Sequence, residues 1–126
     1  MCRGRPARSV EHMLLSFRRI VDIPFAECVA ALESRLRRDG ELHVGPVRLR
    51  GPVEHDPDSG TCLIDARLAR GRLRSPSRMR LEVDAWSSSV STALDLIPCG
   101  RVRAGTAYFR SGHLALSSLI HSFQEA

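Results

Sequence analysis

Lysine and asparagine are missing from all 126 residues, and glutamine occurs once, at Gln124. All 19 basic side chains are therefore arginine, set against 14 acids for a formal charge of +5. Lysine and asparagine have AT-rich codons, whereas arginine, alanine, glycine and proline have GC-rich ones, so this bias is genomic before it is functional. A basic chain keeps nucleic acids and anionic surfaces among its partner classes. Only a local excess of arginine, not the total, can argue for one of them.

Other absences narrow the field further. The four cysteines, Cys2, Cys28, Cys62 and Cys99, form no C-x-x-C pair, so neither a zinc site nor a thioredoxin-type motif is offered. A reduced, cytoplasmic setting without metal or cofactor is expected. Met13-Leu14-Leu15 is soon cut by Arg18, Arg19 and Asp22, which leaves nothing near the ~20 apolar residues of a membrane span. No serine triad, glycine-rich phosphate loop or paired-carboxylate motif occurs. The chain has six aromatic residues, few for stacking nucleic-acid bases.

The length fits one domain. Residues 1–12, MCRGRPARSVEH, carry three arginines and almost no apolar side chains, and are expected to be a disordered basic head, with translation from Met13 as an alternative start. The domain proper is expected over 13–126. Apolar residues two apart, Leu15, Phe17, Val21 and Ile23, predict a first strand with a bulge at Arg18-Arg19. Asp22 and Pro24 then signal a helix start. Phe25, Val29, Leu32 and Leu36 recur at helical spacing, and Gly40 supplies the stop.

From Glu41 to Pro98 the pattern is strands and turns. The segment from Arg78 to Ser88 alternates most cleanly, with Met79, Leu81, Val83 and Ala85 opposite Arg80, Glu82, Asp84 and Trp86, as in an antiparallel strand with one wet side. Leu94 and Leu96 are the inward pair of the following strand. After Gly100 the period returns to 3.6 through Phe109, Gly112, Leu116, Leu119 and Phe123, a helix of about 20 residues, or ~30 Å. Strand, helix, a meander of four or five strands and a long terminal helix make an α+β fold with five or six antiparallel strands.

That order, with Val21-Asp22-Ile23-Pro24-Phe25-Ala26-Glu27-Cys28-Val29 joining the first strand to the first helix, resembles the START-like helix-grip superfamily (SRPBCC) of polyketide cyclases and lipid-transfer proteins. Pro24 and Val29 match the family's entry signature, and Ile23 replaces its usual alanine. The family has seven strands and a second short helix, so this would be a shortened version. The resemblance implies a sheet curled around the C-terminal helix, with an apolar small molecule held between them. Phe17, Leu81, Val83, Leu94, Leu96, Tyr108, Phe109, Gly112 and Leu116 would line that space, and each also suits a packed core. Gly112 costs about 1 kcal/mol relative to alanine inside a helix, which marks a close approach by backbone or ligand. Tyr108 and His113 are weak catalytic candidates for a cyclase-like activity.

The strongest local anomaly is six arginines in 14 residues, Arg67, Arg70, Arg72, Arg74, Arg78 and Arg80, centred on an expected hairpin tip with no acid between Asp65 and Glu82. Guanidinium forks suit phosphate and carboxylate, so these are the candidate anion-binding residues. Three functions follow in order: an apolar-ligand or partner-binding domain, an arginine-mediated nucleic-acid-binding or regulatory protein, and a cyclase. Trp86, on a polar strand face, marks a homodimer interface or an isolated stacking platform.

Overall fold

Alternation with period two and stripes with period 3.6 sort this chain into six strands and two helices (computed structural model, describing residues 15–70, 75–103 and 105–124). In chain order they are β1 (Phe17–Val21), α1 (Phe25–Asp39), β2 (Glu41–Val44), β3 (Val47–His55), β4 (Cys62–Leu68), β5 (Ser77–Trp86), β6 (Ser91–Pro98) and α2 (Thr106–Gln124). The strands form one antiparallel half-barrel in the order β1-β6-β5-β4-β3-β2, so only β1 makes a non-sequential pairing. The α+β class and the place of both helices agree with expectation. The expected head, 1–12, and Arg72 and Arg74 of the expected hairpin tip lie outside the described residues.

Pro24 precedes α1, where its missing N–H leaves no intrahelical bond unmade. At the other end the Gly40 N–H donates to the Leu36 carbonyl at 2.8 Å with φ +79°, a left-handed conformation that glycine adopts without penalty. Cys28, Val29, Leu32 and Leu36 of α1 and Tyr108, Ala115, Leu116, Leu119 and Phe123 of α2 meet the inward residues of the sheet in one buried cluster.

Two details of the strands depart from expectation. β1 pairs with β6 in unbroken register from Phe17↔Leu96 to Val21↔Thr92, without a bulge at Arg18-Arg19. Phe17, Arg19 and Val21 already share one parity, so no slip is needed. Arg19 keeps its guanidinium outside by reaching Ser117 Oγ at 3.4 Å. The irregularity falls instead between Arg50 and Glu54, across the cis Gly51–Pro52 bond of β3.

The outward face of β5 is also not uniformly wet. Arg80 and Glu82 are 2% and 0% exposed, and the Arg80 Nε and Nη2 both donate to Glu82 Oε2, at 3.1 and 2.7 Å. Mutual neutralisation makes burial of the two charges tolerable. On neighbouring β6, buried Asp95 accepts from Arg18 Nε and Nη2 at 2.6 and 3.0 Å.

Candidate functional site

The residues expected to surround an apolar ligand lie where the core requires them. Phe17, Leu81, Val83, Leu94, Leu96, Tyr108 and Leu116 are at most 3% exposed. A Cβ on Gly112 would lie 2.1 to 2.5 Å from three ring carbons of Phe17, so the glycine admits an aromatic side chain to the helix backbone. Tyr108, Phe109 and His113 surround that ring with centroid distances of 5.2, 6.1 and 5.1 Å. Phe109 itself is half-exposed. Three concavities, of about 350, 560 and 200 Å³, are lined by none of these residues.

Tyr108 and His113 both touch Phe17 but serve different ends. The Tyr108 hydroxyl donates to the Leu15 carbonyl at 2.5 Å, and burial pushes its pKa up. Its proton is therefore held in a structural bond between α2 and the start of β1. His113 is exposed on the solvent side of α2.

A constellation invisible in the sequence joins Glu33 of α1, His55 of β3 and Cys62 of β4. His55 Nε2 lies 2.9 Å from Glu33 Oε1, and His55 Nδ1 lies 3.4 Å from Cys62 Sγ. Acid, base and thiol in that sequence are the parts of a nucleophilic triad. The thiol does not fit the role, since Cys62 is 1% exposed and its pKa is pushed up to about 11, by burial first and by Glu33 and Asp84 next. An inaccessible, protonated thiol is inert. Cys28 is similarly buried, with a pKa pushed up to about 12 chiefly by burial, whereas Cys99 is disulfide-bonded, in departure from the reduced state expected of the four cysteines. Among the described residues no group of three histidine, cysteine or carboxylate side chains is arranged to hold a metal ion.

Strand register separates the arginine cluster into unlike members. Arg78, Arg67 and Arg48 are direct cross-strand partners on β5, β4 and β3, on the face of the sheet opposite the core. Adjacent strands are about 4.8 Å apart, so the three side chains start within ~10 Å along one line. The next outward row is Arg80, Asp65 and Arg50. Arg48, Arg50, Arg67 and Arg78 are exposed. Among the described residues none of the four guanidinium groups has a hydrogen-bond or ion-pair partner. Arg48, Arg50 and Arg67, with Asp65 and Pro76, line the concavity of about 200 Å³.

Arg80 is withdrawn from this set by its buried pairing with Glu82, and Arg70 donates through Nη1 to the Arg103 carbonyl at 3.2 Å. Arg48 and Arg50 are the members that sequence reasoning missed. They lie far from the dense segment in the chain, and only the β3–β4 pairing brings them to it. The signal available was the outward alternation of Arg48 and Arg50 around Leu49.

Trp86 stands at the opposite end of β5, 44% exposed, with the Arg18 guanidinium 5.5 Å from its ring centroid. Ile20 and Val90 are further exposed apolar residues. Among the described residues no helix is long and apolar enough to cross a membrane. Comparison with protein-family models, curated proteins and solved structures finds no match to this chain.

Proposed function

We propose that this chain is a shortened START-like helix-grip domain whose outer sheet face binds the phosphate backbone of a nucleic acid. The observation that carries the reading is the row Arg48–Arg67–Arg78, three like charges in direct cross-strand register. Like charges so placed destabilise a sheet, and no acid among the described residues forms an ion pair with them. An external polyanion would offset that repulsion, and guanidinium groups bind phosphate oxygens in a bidentate manner. A genomic preference for arginine over lysine accounts for which base is used, but not for three of them in line.

The absence of aromatic side chains from the row favours contacts to backbone over base stacking. The apolar-ligand reading of the same fold has less support, because Phe17 occupies the space that Gly112 leaves. The cyclase reading has least, because the Tyr108 hydroxyl is committed to Leu15.

The test titrates a labelled single-stranded oligonucleotide, and separately phosphatidylserine vesicles, with the whole protein at low salt. The reading expects the oligonucleotide to bind, and to be released as salt rises. Binding to vesicles but not to the oligonucleotide would replace it with a membrane-surface role, and binding to neither would remove it.

A further inference from the structure

Within this arginine face one group has the wrong sign for a phosphate site. Asp65 lies between Arg50 and Arg80 in the register, next to the row Arg48–Arg67–Arg78. It is half-buried and lines the same concavity as Arg48, Arg50 and Arg67. Despite these neighbours its carboxylate has no ion-pair or hydrogen-bond partner among the described residues. A carboxylate there reduces the attraction of the patch for phosphate. It can only accept hydrogen bonds, so its complement on a ligand is a neutral donor lying close to phosphates.

Resting on the nucleic-acid reading above, we infer that the site is built for ribonucleic acid, with Asp65 accepting a hydrogen bond from a ribose 2′-hydroxyl while the arginines hold the adjacent phosphates. A ribose–phosphate strand presents such a hydroxyl between successive phosphates, and that hydroxyl separates RNA from DNA at a protein site. A deoxyribose strand would bring phosphates to the arginines but leave the carboxylate facing them without a donor. Unmet polar groups of this kind discriminate more strongly than shape alone. Two outward rows on a strand are about 6.6 Å apart, so the arginine row and Asp65 act on neighbouring parts of one backbone. The arginine row crosses three neighbouring strands on one exposed face, a path that a single strand can follow.

Oligouridine and oligodeoxyuridine of equal length differ along the strand only in the 2′-hydroxyl. Their affinities for the full chain, measured by fluorescence anisotropy at one low salt concentration, test the inference. The wild type should favour oligouridine by roughly tenfold, the ratio expected of one hydrogen bond to a charged acceptor. Asp65→Ala should bring the two affinities together and should bind oligodeoxyuridine more tightly than the wild type does. Asp65→Asn retains the size and an acceptor oxygen without the charge, and should give an intermediate ratio if Asp65→Ala fails to fold. Equal wild-type affinities for the two strands would overturn the ribose assignment and leave the arginine reading intact. Binding of neither strand would overturn the arginine reading itself.

Discussion

Gly112→Ala should destabilise this protein although the change normally favours a helix. In an ordinary helix interior alanine is better than glycine by about 1 kcal/mol. Here the new methyl carbon would lie 2.1, 2.2 and 2.5 Å from three ring carbons of Phe17, against a comfortable carbon–carbon separation of about 3.5–4.0 Å. Phe17 is 3% exposed and has Tyr108, Phe109 and His113 around its ring, so it has no free space to move into. Overpacking of this kind costs roughly 1–3 kcal/mol and exceeds the propensity gain, which for a chain of this size lowers Tm by several degrees. Urea unfolding followed by circular dichroism measures the change. In a Phe17→Ala background, itself destabilised by about 3–5 kcal/mol, the same glycine substitution should become neutral or stabilising. A Gly112→Ala protein at least as stable as the wild type, or an equal loss in both backgrounds, would refute the claim that an aromatic ring fills the space beside α2.

Glu82→Gln should cost about 3–5 kcal/mol by removing the carboxylate paired with the buried Arg80 guanidinium, and Arg80→Met/Glu82→Leu should recover much of that in urea midpoints. Stability should fall as pH rises above 9. Cys28 and Cys62 shift from 9.0 to about 12 and about 11 on folding, so the unfolded chain releases thiol protons that the folded one keeps. Tyr108 shifts upward also and adds to the slope at higher pH. The stabilisation is fully present below pH 9 and fades through the folded values, and Cys28→Ala/Cys62→Ala should flatten the urea midpoint between pH 9 and 11. Ser87, Ser88 and Ser89 have φ of +49°, +58° and +69°, and Ser88→Gly should raise stability by roughly 0.5–1 kcal/mol through relief of left-handed backbone, seen as a higher Tm.

Element order was legible because each segment carries an unambiguous period. The stripe Phe25, Val29, Leu32 and Leu36 and the alternation Met79, Leu81 and Val83 each face the core. Long-range pairing was not legible. Nothing local says that β1 closes onto β6, or that Asp95 on the outer face would hold Arg18. The arginine site shows the same limit. Density along the chain pointed to Arg67 and Arg78 and also to Arg80, which the structure pairs with Glu82, while Arg48 and Arg50 enter through the β3–β4 register. The Glu33–His55–Cys62 arrangement needs three elements to converge, and no spacing rule encodes that.

The salt dependence of oligouridine binding tests the central claim most directly. Four phosphate contacts, from Arg48, Arg50, Arg67 and Arg78, predict that log affinity falls against log salt with a slope of about −3, single strands contributing ~0.7 per contact. In Arg48→Gln/Arg67→Gln/Arg78→Gln, which leaves Arg50, the slope should shrink to roughly −1 along with the affinity. A slope unchanged by the triple substitution, or no wild-type binding at low salt, would contradict the account.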